Sequence, residues 1–514
     1  MKNENLIFYQ IYPRSFCDSN GDGIGDLQGI LSKINYLKQL RINAVWLSPC
    51  YPSPNKDNGY DISDYQAISP LLGTMSDFDE MLYLFHKNGI KLIIDFVANH
   101  TSTEHKWFQE ARKSKENPYR DYYIWRKTPP NAWQSLFGGS AWEYDKKTGE
   151  YYLHSFAKEQ ADLNWENPKV RAEMKAVIDF WVDKGVDGFR CDVLDMIAKD
   201  FDRGENGNGE RLHEYIRELF GRKETEKLFT VGECWGSSLE NVRLFCASER
   251  KELTTVFNFD HLCVENGRFT AQKPKLRTVC GRMAKWQEFM QKNGLLPTVF
   301  LENHDQPRSV SRFGDDKRYR YESATALAAL VLLQRGIPFL YQGEEIGMTN
   351  SYHTDIQSFD DVETLNYYRE RIGGISEKDL LQNVNFGGRD NARRMIPWNA
   401  DKTKSWMEAY AYREQVNVCK DMQSKNSIFR FYQKLISLRK KYKSFSCGEY
   451  RFIEKDKYYH FERKESNERC VVIVNYEKKK KSPQIDGEIL LNNYQSVGEF
   501  LQPYQVIVYK KSPR

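Results

Sequence analysis

Four short segments gather side chains capable of acid, base or nucleophilic work: Asp95-Phe-Val-Ala-Asn99-His100, Gly188-Phe-Arg190-Cys-Asp192-Val193, Val231-Gly-Glu233 and Glu302-Asn-His304-Asp305. Each sits at the end of a short apolar run, where a single carboxylate more often caps a helix or completes an ion pair. Three carboxylates meeting in one site would be a different matter. Cleaving a glycosidic bond takes two carboxyl groups, one to attack or support the anomeric carbon and one to protonate the departing oxygen. Asp192, Glu233 and Asp305 supply that pair and a third. Arg190 stands two residues before Asp192, on the same face of an extended strand, where its charge would hold the neighbouring carboxyl ionised.

The elements that position these groups follow from the hydrophobic pattern. Short β-rich runs alternate with amphipathic stretches along most of the 514 residues, the pattern of parallel strands joined by crossover helices. Strands are predicted near Ile7–Ile11, Ala44–Leu47, Lys91–Phe96, Gly188–Cys191, Phe229–Gly232, Thr255–Phe259, Thr298–Leu301 and Pro338–Tyr341. Helical spacing marks Asp26–Leu40, Asp77–Asn88, Lys169–Lys184 and Glu322–Gln334. The expected architecture is α/β, a (β/α)8 barrel over residues 1–100 and 168–442 with its site at the C-terminal ends of the strands. Residues 101–167 turn aromatic and loop-rich, with Pro129-Pro130, Gly138-Gly139 and a Tyr151–Leu153 run, and predict an inserted subdomain after the third strand. A long irregular insertion is expected from Gly347 to about Lys425, ahead of a last barrel helix at Ile428–Tyr442. Alternating runs at Tyr458–Arg463, Cys470–Asn475 and Tyr504–Tyr509 predict a C-terminal antiparallel β domain over 443–514.

Composition narrows the partners. The net charge of +5 comes from 76 basic and 71 acidic residues interspersed along the chain, without the basic stripe that nucleic acid requires. Ten cysteines occur singly between Cys17 and Cys470, with no Cys-x-x-Cys pair, and read as reduced thiols. Neither a signal peptide nor a membrane-spanning run is evident, so a cytoplasmic monomer acting on small molecules is expected. The 14% aromatic content, with 11 Trp and 31 Tyr, suits either core packing or stacking on the apolar faces of sugars.

The four segments resemble, in order, the four motifs of the α-amylase family of glycoside hydrolases. Gln160-Ala161-Asp162-Leu163-Asn164 is similar to a fifth, that of the oligo-1,6-glucosidase and dextran glucosidase subgroup. The resemblance implies Asp192 as nucleophile, Glu233 as general acid/base and Asp305 as transition-state stabiliser, with His100 and His304 binding sugar hydroxyls. Asn58-Gly-Tyr60-Asp61 and Arg389-Asp-Asn-Ala-Arg393 also fit, and imply that Asp61 and Arg393 close the non-reducing end of a bound glucose, which makes the action exo. Val193 after the nucleophile and Trp235 in Glu233-Cys-Trp-Gly resemble α-1,6-acting members; ordinary packing is the alternative reading of both. The chain departs from the family where Arg394-Met-Ile-Pro-Trp398 replaces a Thr-Pro-Met-Gln-Trp run, which bears on the aglycone side.

Asp18-Ser-Asn20-Gly-Asp22-Gly-Ile24-Gly-Asp26 sets oxygen ligands at alternate positions, although Gly29 at the twelfth place rules out an EF-hand. The resemblance implies a structural Ca²⁺ held by Asp18, Asn20, Asp22, the Ile24 carbonyl and Asp26, and no organic cofactor. The expected activity is therefore a retaining α-glucosidase removing α-1,6-linked glucose from isomaltose and isomalto-oligosaccharides. Trehalose-6-phosphate hydrolysis and α-1,4 or sucrose hydrolysis remain alternatives. Sucrose isomerases carry an Arg-Leu-Asp-Arg-Asp stretch where this chain has His261-Leu-Cys-Val-Glu-Asn-Gly. Transporter heavy chains, a binding rather than catalytic class, need a membrane anchor and typically have an incomplete catalytic set.

Overall fold

The computed structural model describes residues 3–512 apart from 264–266, 402–403 and 455. Part of the segment set against the isomerase stretch therefore lies outside the described residues. Eight parallel strands form one sheet: β1 (Phe8–Ile11), β2 (Ala44–Leu47), β3 (Lys91–Val97), β4 (Gly188–Asp192), β5 (Phe229–Glu233), β6 (Thr255–Phe257), β7 (Thr298–Val299) and β8 (Ile337–Tyr341). Their spatial order is β6-β5-β4-β3-β2-β1-β8-β7, and the barrel closes between β6 and β7 through side chains. There the Thr255 hydroxyl donates to the Leu296 carbonyl at 2.6 Å and the Thr298 hydroxyl to the Val256 carbonyl at 3.1 Å. Inside, Phe8 packs on Phe229 and Phe339 with ring centres 4.8 and 4.6 Å away, and Trp46 on Phe257 at 5.6 Å. These strands are mostly apolar because both faces are covered, which makes them conspicuous in the sequence and sets off the few charged residues they carry, such as Asp95, Arg190, Asp192 and Glu233.

The helices follow their local signals. Thr74 and Asp77 form a capping box at the start of Met75–Lys87, and Asn167 with Pro168 opens Pro168–Lys184, which Gly185 ends at φ 99°. The stretch predicted as one helix from Asp26 to Leu40 is two, Leu27–Ser32 and Ile34–Leu40, broken at Lys33. Gly29 explains part of this: the Cys17 carbonyl oxygen stands 1.8 Å from where a β-carbon would be, so the first helix is pinned against the preceding loop. Between β3 and β4, the strands Trp125–Arg126, Trp142–Asp145 and Glu150–Leu153 form a small sheet, and His100–Ser102 pairs antiparallel with Gln160–Asp162. Among the described residues, the stretch expected to be irregular after Gly347 contains four α-helices, Val362–Arg371, Glu377–Gly387, Asp390–Arg393 and Val418–Gln423. Ile428–Lys441 is the last barrel helix, and Glu449–Glu454, Tyr458–Glu465, Glu468–Asn475, Val506–Lys511 and Gly487–Asn492 form a five-stranded antiparallel sheet beyond it. Among the described residues no helix is long and apolar enough to cross a membrane.

Candidate active site

The C-terminal ends of the barrel strands surround a cavity of about 940 Å³ lined by Asp192, Glu233 and Asp305. β4 aims Arg190 and Asp192 to the same side, and its register with β3 sets Asp95 beside Arg190. The guanidinium, only 1% exposed, donates to Asp192 Oδ1 at 2.7 Å and makes close contacts with Asp95 and Glu233. Asp95 is anchored in turn by the Trp46 indole N–H at 2.7 Å. Three carboxyl groups thus share one guanidinium, and the surplus favours retaining a proton among them. Burial pushes Asp192 well above the usual carboxylate range, with Arg190 opposing and Glu233 and Asp95 reinforcing the rise. Arg190 thus favours the ionised Asp192, as expected, but against burial and while serving two other acids.

At one end of the cavity Asp305 is gripped by two arginines and a histidine. Arg393 donates to it at 2.7 Å and Arg389 at 3.1 Å, while His304 Nε2 stands 2.9 Å away and is oriented by Gln10 at its other nitrogen, 2.8 Å distant. Burial would raise the Asp305 carboxyl, but His304, Arg389 and Arg393 hold it well below its ordinary value. Arg389 also pairs with Asp57 at 3.2 Å and Asp361 at 2.6 Å, and its guanidinium lies 4.6 Å over the Phe137 ring. Tyr60 lines the cavity and stacks on His304 at 5.1 Å. His100 lines it as well, with Gln160 3.0 Å from its Nε2, and burial lowers its pKa to about 4, so the ring is neutral at physiological pH.

Two expectations need correction here. Asp61 does not face the cavity: its carboxylate accepts the Ser53 hydroxyl at 2.8 Å and the Lys56 and Asp57 amides at 2.9 and 3.1 Å, organising its own loop. Asp57 takes the expected place, because Asn58 at φ 50° and Gly59 at φ 109° turn the chain between them. Likewise the arginine that lines the cavity is Arg389, with Arg393 behind it on Asp305 and Asp361. Spaced four apart, both arginines reach the same carboxylates.

At the other end, Val193 lines the cavity with φ 34° and ψ 45°, an unusual backbone for a β-branched residue. Trp235 is 42% exposed, lies flat on Phe259 with ring centres 3.9 Å apart, and donates its indole N–H to Glu233 Oε1 at 3.0 Å. Asp195 also lines this wall and had no signal beyond its position three residues past Asp192. The departing segment 394–398 contributes nothing to the cavity lining among the described residues: Arg394 donates to the Ser358 carbonyl at 3.2 Å, and the Trp398 indole to the Phe16 carbonyl at 2.7 Å.

The loop from Asp18 to Asp26 lies outside the cavity. Asp18 Oδ1 accepts the Asn20 and Gly21 amides at 3.0 and 2.7 Å, and Asn20 and Asp22 accept the Asp22 and Ile24 amides. Asp26 likewise uses both oxygens, capping the Gly29 amide and binding Ser19, as Asp18 does with the Asn20, Gly21 and Gly23 amides. Among the described residues no group of three or more His, Cys, Asp or Glu side chains is arranged to hold a metal.

Known proteins resemble the chain along nearly its whole length. Residues 10–448 match the family described as "Alpha amylase, catalytic domain". The oligo-1,6-glucosidase of Parageobacillus thermoglucosidasius is 45% identical, with 99% of this chain and 98% of that protein aligned. The glucan 1,6-alpha-glucosidase of Streptococcus pneumoniae is 42% identical over 94% of this chain and 93% of its own. The crystal structure of trehalose-6-phosphate hydrolase from Bacillus licheniformis superposes with a TM-score of 0.90 at 39% identity, covering 99% of each chain. With a catalytic-domain match over most of its length and three carboxyl groups around the barrel mouth, the chain belongs to the α-amylase family of glycoside hydrolases.

Proposed function

We propose that this enzyme is a retaining exo-α-glucosidase acting on α-1,6 bonds at the non-reducing end of isomaltose and isomalto-oligosaccharides. The observation that carries the reading is the single Arg190 guanidinium in contact with both Asp192 and Glu233. Two carboxyl groups held by one guanidinium suit the ~5–5.5 Å spacing of a double displacement rather than the ~6.5–9.5 Å that an intervening water needs. Asp192 attacks the anomeric carbon while Glu233 gives its proton to the glycosidic oxygen, and the aglycone leaves as an alcohol. Water then loses a proton to Glu233 and attacks the same carbon, releasing α-glucose and restoring Asp192. Asp305 supports the positive charge of the transition state, and Asp57 and Arg389 take the distal hydroxyls of the glucose.

The charge arrangement favours a neutral oligosaccharide over trehalose 6-phosphate. A phosphate needs cations free to meet it, but those lining the cavity are matched: Arg389 with Asp57, Asp305 and Asp361, Arg268 with Glu363 at 2.7 Å, and Arg203 with Glu205 at 2.9 Å. Val193 and the Trp235 indole plane support α-1,6 preference. Rates on isomaltose, maltose, sucrose and trehalose 6-phosphate test the substrate, with isomaltose expected fastest. Proton NMR in the first minutes tests the mechanism. Initial β-glucose would remove Asp192 from the nucleophile's role, and fragments larger than glucose from dextran would remove the closed end.

A structural Ca²⁺ on Asp18, Asn20, Asp22, the Ile24 carbonyl and Asp26 is part of the same proposal; EDTA should then lower Tm and added Ca²⁺ restore it. The ten cysteines occur singly along the sequence with no Cys-x-x-Cys pair, which supports a reducing compartment, and we take the enzyme to be a cytoplasmic monomer, a state that light scattering of the purified chain checks.

A further inference from the structure

The wall opposite the glucose end is built from the turn after β4, residues 203–209 and the turn after β5. Asp195 joins all three. It lies in the short turn Leu194–Met196 that follows Asp192 and Val193. Its backbone carbonyl accepts the Asn208 amide at 2.7 Å, and its carboxylate Oδ2 accepts the Gly236 amide at 2.6 Å. A β-carbon at Gly236 would meet the Asn208 side-chain nitrogen at 2.5 Å, so the two residues pack closely. The residue before it is Trp235, whose indole N–H donates to Glu233 at 3.0 Å. One amide and one side chain therefore separate the Asp195 carboxyl from Glu233.

Asp195 is 2% exposed, so its oxygen holds the Gly236 amide without competition from water. We infer that Asp195 is a positioning residue: by holding the Gly236 amide it fixes the plane of Trp235, and through the indole N–H the orientation of the Glu233 carboxyl. The inference rests on the reading of Glu233 as the proton donor. It adds that the aglycone platform and the acid are set together by one buried carboxyl on the nucleophile's own turn.

The test compares Asp195→Ala, Asp195→Asn, Trp235→Phe and the Asp195→Ala/Trp235→Phe double variant on isomaltose and p-nitrophenyl α-glucoside. Asp195→Ala should lower kcat on isomaltose by about 10–100-fold, within the range for general acid–base catalysis. KM should rise by less than kcat falls, since the contacts at the glucose end remain. The nitrophenyl glucoside should lose less, because its leaving group needs little protonation. Asp195→Asn keeps an oxygen that can accept the Gly236 amide and should recover most of the loss. The double variant should be no slower than the slower single variant, since both act on one contact. Equal losses on the two substrates, multiplicative losses in the double variant, or an Asn variant no better than Ala would each overturn the inference. If the Ala variant fails to fold, Asp195→Ser, too short to reach the amide, takes its place with the same expectations. Equal losses on both substrates in Glu233→Gln would instead sink the acid assignment itself, and a wild type inactive on isomaltose would sink only the linkage reading, the series then being run on the α-glucoside it does cleave.

Discussion

The two ends of the pocket are built on opposite terms. At the glucose end Asp57, Asp305 and Asp361 share Arg389 and Arg393 in a buried network, so its hydrogen-bonding geometry is set before a sugar arrives. At the aglycone end the wall is made of turns, with Val193 and Asn208 at positive φ and an exposed indole plane. A preorganised end discriminates steeply because an ill-fitting ligand leaves buried charges unmatched, whereas a flat apolar platform accepts related shapes at modest differences in energy. The identity of the glucose is thus fixed more tightly than the linkage that follows it.

The largest effect should come from the group between the two ends. Glu233→Gln removes the proton donor and leaves the nucleophile, so turnover of isomaltose should fall by about 10²–10⁴-fold, with a smaller loss on p-nitrophenyl α-glucoside. Steady-state rates on the two substrates measure it.

Next come the two aspartates that flank Asn58-Gly59-Tyr60. Asp57→Asn breaks a charged contact at the glucose end and should lower kcat/KM by about 10–100-fold, the worth of one charged hydrogen bond. Asp61→Ala removes the acceptor of two loop amides and a hydroxyl, so it should lower Tm while leaving kcat/KM of the folded enzyme within a few fold. The reverse pattern would restore Asp61 to the glucose end.

A smaller effect is the pH dependence of stability. Three carboxyl groups and two guanidiniums leave one charge uncompensated, and burial pushes Asp57 up to about 7 against the pull of Arg389 and Arg393. A carboxyl raised on folding stabilises the folded state below its unfolded value of about 3.9, and that contribution is lost as pH climbs to about 7. Asp305 runs the other way: held low in the fold, its contribution is present above about 4 and lost as pH falls further. Melts between pH 3 and 8 should therefore show that Asp57→Asn removes a decline in Tm between about 4 and 7 while leaving the acid-side loss intact. A difference between variant and wild type that is flat in pH would deny Asp57 its raised value.

The same contrast marks what was legible in the sequence. The barrel could be read because strands covered on both faces are short, mostly apolar runs, as in β3, where only Lys91 is exposed and Asp95 alone interrupts the apolar residues that follow it. Arg190 and Asp192 were paired by the two-residue period of a strand. Asp57 and Asp61 could not be told apart, since both flank the same turn and only its positive-φ residues decide which carboxyl turns inward. Arg389 was missed for want of a helical reading of Asp390–Arg393, which would have placed two arginines four apart on one face. Val362–Arg371 escaped because only Thr364 and Tyr368 are buried, too few for a periodic apolar stripe. Asp195 acts on Gly236, 41 residues away, and no local pattern announces such a contact.

The smallest expected change concerns Val193, where strain and selectivity meet. A β-branched side chain in the left-handed region costs roughly 1–3 kcal/mol and persists only where its surroundings hold it. Here the Met196 amide, donating to the Val193 carbonyl at 2.9 Å, and the turn that Asp195 ties down do so. Replacing Val193 by Ala removes two methyl groups of buried surface, worth about 0.8 kcal/mol each, and relieves part of the crowding at χ1. The two effects nearly offset, so Tm should move little. What changes is the wall beside the nucleophile, which widens on the aglycone side. Activity on maltose should rise relative to isomaltose by a few fold, about 1 kcal/mol of discrimination for a branch point in an apolar wall. An unchanged ratio together with a clear drop in Tm would make Val193 a packing residue, and would leave the Trp235 plane alone to account for linkage preference at the softer end.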